Sequence, residues 1–270
     1  MKKKIASAPY ILWMALFTVI PLVLVIVFAF TNENKEFTVE AFTKMGQFIP
    51  SLIKSLKLAL ISTVICFVLA YPFSYIMSRS AEHVQRRMML LIMLPMWMSF
   101  LLRTYSWMTL LEKNGLINRF FGLFGLGPFQ MINTEGAVVV GMVYNFLPFM
   151  ILPLYTVMLK IDKSVIEAAQ DLGSNSFNVI RKVILPLSLP GIISGITMVF
   201  VPSVGTFMIS RMLGGNENML IGDLIEKQFF GNMYNPYLGS AVSLLLMVII
   251  LITMGIINLF DDEEMEGMMI

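Results

Sequence analysis

Charge is scarce in this sequence. Asp, Glu, Lys and Arg make up 13% of its 270 residues, against about 25% in ordinary soluble domains. A soluble fold of this length needs far more polar surface than that to cover its core. Cysteine is almost absent: Cys66 stands alone inside an apolar run, which excludes a disulfide framework or a cysteine-based metal site. The one histidine, His83, lies beside Arg86 and Arg87, so neither a zinc cluster nor a Ser–His–Asp set can be assembled around it. No G-x-x-x-x-G-K-[ST] phosphate loop occurs, so the chain does not hold ATP in that cradle. The net charge of +2 and the lack of a long basic patch argue against nucleic-acid binding. These absences leave little room for an enzyme, and none implies a cofactor.

What is present is apolar: 57% of the residues are hydrophobic. Six windows meet the bilayer requirement of roughly 17–25 mostly apolar residues. They lie near Tyr10–Phe30, Lys57–Ser78, Met88–Leu111, Ala137–Leu159, Pro190–Met212 and Leu238–Phe260. The expected fold class is therefore an all-α, polytopic membrane protein with six transmembrane helices. The first window follows Lys2–Lys4 as a signal peptide would. Its apolar run is too long, however, and FAFTNENKE has no small-x-small cleavage site, so it reads as a span. Lys2–Lys4, Arg79, Arg86, Arg87, Lys160, Lys163, Arg181 and Lys182 fall on one side of these spans. The positive-inside rule makes that side cytoplasmic, with both termini, and the setting a cell (inner) membrane.

Three longer loops of roughly 25 residues are too small for independent domains. The expected organisation is a first span and outer loop at 1–55, a core at 56–260, and an acidic tail, DDEEMEG, within 261–270 that reads as a solvated end. The first outer loop reads as a partly ordered cap. In the third, MLIGDLIEKQFF lies between the turn signals Gly214-Gly215 and Asn235-Pro236 and is apolar enough to enter the interface, with Glu217, Asp223 and Glu226 facing outside water.

One water-compatible stretch interrupts the apolar pattern: SVIEAAQDLGSNSFNVIRKVILP, Ser164–Pro186. Ser164 and Glu167 have capping-box spacing. Ala168, Ala169 and Gln170 favour helix, and Gly173 suits a left-handed helix stop. Ser174 or Ser176 is placed to start a second helix, and Pro186 to kink or break it before the next span. The plain alternative is that Glu167 only caps and the alanines only promote helix. Yet 2–8 residues suffice to join neighbouring helices, so a rigid protrusion calls for another role.

The run Glu167-Ala168-Ala169, then Gly173, Val183, Leu185 and Pro186 resembles the EAA signature of ABC importer permeases. Val183 replaces the more usual isoleucine. The resemblance implies a type I importer transmembrane domain whose coupling helix docks on a cytoplasmic ATPase, with the Ala168–Ala169 surface as the grip. SFLLRTYSWMTLL, NFLPFMILPLY, LPGIISG and MLGGNENMLIGDLIEKQF extend it across nearly the whole chain. They are similar to the spermidine/putrescine branch, and within it to the B-type subunit. That implies a homologous C-type permease partner, two ATPase subunits and an external polyamine-binding protein. Permeases for sulfate, phosphate, iron or thiamine share the same membrane fold.

For the pathway, Arg103 is the conspicuous intramembrane charge; the alternative is that it snorkels to the outer headgroups. Ser99, Arg103 and Ser106 share a helical face, as do Arg103 and Trp107, and this face is expected to line the outer mouth. A polycation calls for aromatic faces and oxygens; Trp97, Tyr105, Trp107 and Tyr144 are the aromatic candidates, with packing or an interfacial belt as the alternative. Pro202 and Ser203 mark a place where the fifth span can open its backbone to a cavity; close packing explains the nearby glycines equally well. A self-sufficient carrier would need internal repeats and mid-span carboxylates, and neither is visible. A scaffold explains the docking helix but not six spans.

Overall fold

The computed structural model describes residues 8–231 and 233–267. Its helices are α1 (Pro9–Ala29), α2 (Ile49–Arg79), α3 (Glu82–Met93), α4 (Phe100–Leu111), α5 (Leu116–Gly122), α6 (Glu135–Lys160), α7 (Lys163–Asp171), α8 (Ser176–Leu187), α9 (Leu189–Gly205), α10 (Ile221–Phe230) and α11 (Pro236–Gly267). Four of them, with α2 extended back to Glu40, are long and apolar enough to cross a bilayer, and two bent pairs bring the spans to six. The fold is all-α among the described residues, apart from one isolated bridge between Thr31 and Phe37 in the first loop. That bridge and a short Glu40–Thr43 helix give the loop the partial order its sequence suggests.

The centre of the bundle is α2, α6 and α9 packed on one another, with α1 outside them against α11. Small residues permit the close contacts, as in membrane bundles generally. Ala59, Ser62, Ala70 and Ser74 on α2 are fully buried. Ser62 reaches the Met142 sulfur at 3.3 Å and Ser74 the Ile151 carbonyl at 3.2 Å, so both hydroxyls are satisfied against α6. On α9, a Cβ at Gly195 would sit 2.6 Å from the Met150 sulfur, and one at Gly191 3.0 Å from the Pro153 carbonyl. Packing is thus the observed role of these glycines.

Two expected spans are not straight. The third breaks into segments at 90°, Glu82–Trp97 and Phe100–Gly122. Pro95 removes the amide that would continue the α3 ladder, the chain tightens into a 3₁₀ turn at Leu94–Trp97, and Met98 and Ser99 are extended. The fifth does not run to Met212: α9 ends at Gly205, Thr206 is extended, and a separate π-helical turn occupies Ser210–Gly214. Pro202 lies inside α9 without breaking it; the opening comes at Gly205–Thr206. The second span starts earlier than Lys57, at Ile49, and so runs through the expected boundary at 55. Residues 261–267 continue α11 as helix, and 268–270 of the expected tail lie outside the described residues.

Candidate functional site

The segment between α6 and α9 is a helix, a stop and a second helix, built by residues other than some of those expected. Asp162, in extended conformation, caps α7: its carboxylate accepts from the Ser164 amide at 3.0 Å. That bond holds the Asp162 carboxyl below the ordinary carboxylate range. Ser164 is therefore the second residue of α7, exposed, and the Ser164–Glu167 capping box does not form. The physical reason is competition: a cap residue needs non-helical backbone, and Asp162 takes that position two residues earlier. Glu167 is left free on the exposed face.

The stop is a Schellman motif. The Gly173 amide donates to the Gln170 carbonyl at 2.8 Å and the Ser174 amide to Ala169 at 3.1 Å. Gly173 has φ +82°, as its type suggests. The second helix is started neither by Ser174 nor by Ser176 but by Asn175, whose side chain accepts from the Asn178 amide at 2.9 Å. A π turn follows at Ile180–Ile184, and Pro186 sits in the last turn, Leu185–Leu187. α8 and α9 then meet at 70°. At this elbow Val183, Leu185 and Pro186 are half-buried, while Ser188 is fully buried with its hydroxyl 3.3 Å from that of Tyr71 on α2.

Beneath the segment Ile161, Ile166, Val179 and Ile184 form a small core with Tyr75, Ala169 and Ile180. Ala169 faces this core, so the two alanines do not form one surface: Ala168 and Glu167 look outward and Ala169 inward. Sequence reasoning passed over the large exposed apolar side chains beside them. Leu172 is 88% exposed, and Phe177 and Val165 are exposed as well. The available signal was placement: Leu172 stands directly before the helix stop, and Val165 and Phe177 each lie in the first turn of a helix. Arg79, expected only as a marker of the cytoplasmic side, also holds a helix end. Its guanidinium donates to the Ile161 and Met158 carbonyls at 3.0 and 3.3 Å, neutralising the C-terminal end of α6. Tyr155 donates to Gln85 at 2.8 Å, and Gln85 to the Ser80 carbonyl at 2.8 Å. The end of α6 from which the protrusion departs is thereby tied to α2 and α3.

The pathway candidates do not form one lining. Trp107 and Tyr144 pack edge to face at 5.4 Å, joining α4 to α6. Trp97 and Tyr105 are exposed and belong to no such pair among the described residues. Ser99 is exposed at the joint before α4 and Ser106 is exposed on it, but Arg103 between them is only 9% exposed. Its guanidinium lies 6.0 Å from the centre of the Phe100 ring, and its Nε has no hydrogen-bond partner among the described residues. Arg103 is packed inside protein rather than extended to headgroups. Ser203 is buried and donates to the Val199 carbonyl of its own helix at 2.6 Å.

At the other end of the bundle a polar cluster joins the Ser210–Gly214 turn to α10. Asp223 is 1% exposed; it accepts from the Leu220 amide at 3.0 Å and from Ser210, and Arg211 lies 3.7 Å away. Arg211 also pairs with Glu226. Burial pushes the Asp223 carboxyl above its ordinary range, against the pull of its hydrogen bonds and of Arg211. Of the three carboxylates expected to face water, only Glu217 is fully exposed. Asp223 is turned inward because it satisfies the α10 N-terminus.

The family described as "binding-protein-dependent transport system inner membrane component" matches residues 38–263. The spermidine/putrescine transport system permease protein PotB of Haemophilus influenzae is 37% identical over 257 residues, covering 92% of this chain and 90% of that protein. The protein of the same name from Escherichia coli K12 is 34% identical over 247 residues, covering 88% and 90%. Among solved structures, a bacterial ABC transporter that imports the acidic polysaccharide alginate superposes with a TM-score of 0.83 at 16% identity, covering 96% of this chain and 94% of that one. The MetNI methionine ABC transporter, in an inward-facing conformation, gives 0.57 at 19% identity, covering 83% and 97%. These two likenesses concern the fold alone. With the family match running from α2 to α11, past the first span but across the other five and the helix–stop–helix segment, this chain belongs to the inner membrane components of binding-protein-dependent transport systems.

Proposed function

We propose that the chain is the permease subunit of an ATP-driven polyamine importer, forming half of the pathway beside a homologous C-type permease subunit. An external polyamine-binding protein delivers spermidine or putrescine, and two cytoplasmic ATPase subunits supply the energy. The observation that carries the coupling role is the exposed face of Glu167, Ala168 and Leu172 on a short helix with a fixed cap and a fixed stop. Leu172 and Phe177 offer apolar contact and Glu167 one directed charge, the composition of a docking surface. The names of the relatives support the polyamine assignment.

The nearby cations Arg79, Arg86, Arg87, Lys160 and Lys163 support a cytoplasmic placement of this segment, with both termini on the same side. In this reading, closure of the ATPase pair moves α7 as a rigid body. The Ile166 core and the Ser188 elbow pass the motion to α6 and α9, and the bundle rocks between outward- and inward-facing states. The test is reconstitution of the four-subunit complex with its binding protein in vesicles, measuring labelled spermidine uptake with and without ATP. ATP-dependent uptake inhibited by putrescine, and not by sulfate or thiamine, is the expected result. ATP-independent uptake, or competition by another substrate class, overturns the reading.

A further inference from the structure

The loop joining α4 to α6 lies at the end of α6 opposite the helix–stop–helix segment, and it is built as a rigid apolar knob. The side chain of Asn118 is buried and bonds three backbone groups. It donates to the carbonyls of Glu112 and Phe129 at 3.1 and 2.8 Å and accepts from the Phe129 amide at 2.8 Å. These bonds staple the two arms of the loop together. The turn into α5 is equally fixed: a Cβ at Gly115 would lie 2.4 Å from the Leu110 carbonyl oxygen.

What the staple presents outward is hydrophobic. Leu123 is 82% and Phe124 67% exposed, with Leu116 and Phe120 exposed beside them. Phe120 and Phe124 pack edge to face at 5.3 Å, so the exposed rings are a preformed pair. A loop meant for water has no use for such a surface. Two observations identify what covers it. Leu101, Leu102 and Tyr105 on α4 are exposed too, and they lead into the loop from a span of the membrane bundle. Beside the rings, Lys113 and Arg119 line a cleft of about 420 Å³ with Asn114 and Asn118. Glu112 is the one carboxylate between positions 112 and 134. Apolar rings with cations at their margin are the chemistry of an interfacial anchor, whose apolar face enters the acyl boundary while the cations meet lipid phosphates.

We propose that residues 112–131 form an anchor in the membrane interface, with Phe120, Leu123 and Phe124 in the acyl boundary and Lys113 and Arg119 on phospholipid phosphates. The test places benzoylphenylalanine at position 124, and separately at 120, in the full transport complex. The complex is held in nanodiscs of phosphatidylethanolamine and phosphatidylglycerol with the binding protein present, and the adducts formed on illumination are identified by mass spectrometry. Phospholipid adducts at both positions are expected, shifting from phosphatidylglycerol towards phosphatidylethanolamine in a Lys113→Gln, Arg119→Gln variant. Adducts to the binding protein or to the partner permease overturn the proposal, as does photoreduction without any adduct. An unchanged lipid preference in the double variant overturns the phosphate contacts. Should position 124 or 120 fail to assemble, position 123 gives the same readout.

Discussion

Replacing Gly173 by valine, alanine and asparagine separates the conformation of the helix stop from the space around it. No atom lies within 4 Å of the Cβ that a substitution would add, so none of the three meets a neighbour there. The cost comes from φ +82° alone. A left-handed backbone costs an L-residue about 1–2 kcal/mol, more for a β-branched side chain and least for asparagine. Should the turn relax instead, the amide bonds to Gln170 and Ala169 are lost, each worth about 0.5–1.5 kcal/mol. Either way valine shifts the balance between formed and unformed stop by at least about 5-fold. The spans themselves are untouched. Membrane insertion is therefore expected at the level of the parent for all three, while ATPase co-purification and ATP-driven uptake fall in the order asparagine, alanine, valine, with valine close to none. Equal activity in the valine and asparagine variants refutes the reasoning, because a flexible connection then suffices. Equal loss in all three refutes it too, because glycine would then be needed for contact rather than for φ.

Other sites obey the same logic. Asp162→Ala should loosen α7 while Ser164→Ala leaves it unchanged, read as faster amide exchange over residues 163–171 in the first variant alone; the reverse order would reinstate the capping box. Because the Asp162 carboxyl titrates below its ordinary 3.8, its contribution is complete above that value and disappears as pH falls through the lowered one. The same exchange rates should thus show no cap-dependent change in the neutral range. Asp223→Ala leaves the Leu220 amide without its partner and the Ser210 hydroxyl with the Phe207 carbonyl alone, a cost of about 1–3 kcal/mol visible as faster exchange across residues 206–230. Asp223 titrates above its ordinary value, so its stabilising share is present below 3.8 and lost as pH rises through the folded value. Asp223→Asn should accordingly flatten the pH dependence of α10 exchange. Gly191→Val drives a side chain against the Pro153 carbonyl and Val157 and should destabilise the purified complex by about 1–3 kcal/mol, seen as a lower Tm; an unchanged Tm would show that α6 and α9 part freely.

Much of the fold was legible because a bilayer imposes a length rule. Apolar runs of sufficient length read as spans whatever their neighbours do, and the four that are straight in the structure fall within a few residues of the expected windows, apart from the earlier start of α2. Gly173 was legible for a similar reason: a helix-forming run ending in glycine leaves few alternatives for the backbone. The third and fifth spans were not, because hydropathy reports depth and not direction. Pro95 is one residue among many apolar ones, yet it sets a 90° turn. Pro202, equally visible, sets none. The difference lies in the residues just after each proline. Met98 and Ser99 leave the helical region within four residues of Pro95, while Ser203 returns its hydroxyl to the Val199 carbonyl and α9 continues to Gly205.

The polar residues were hardest to place, since spacing gives possible partners but not which pairing prevails. Ser164 and Glu167 satisfy a capping box on paper, and Asp162 excludes it by taking the extended backbone first. Ala168 and Ala169 read as one surface until the Ile166 core turns the second inward. Glu217, Asp223 and Glu226 read alike as solvated acids, until the open N-terminus of α10 and the guanidinium of Arg211 draw two of them in. At Asp162 and Asp223 a backbone amide left unpaired at a helix start decided the matter. Such an amide costs more when buried than a misplaced charge costs at a surface. Reading helix ends before side-chain motifs finds Asp162, Asn175 and Asp223 from the same letters, and leaves Glu167 and Leu172 where the structure has them, exposed and outside the capping pattern.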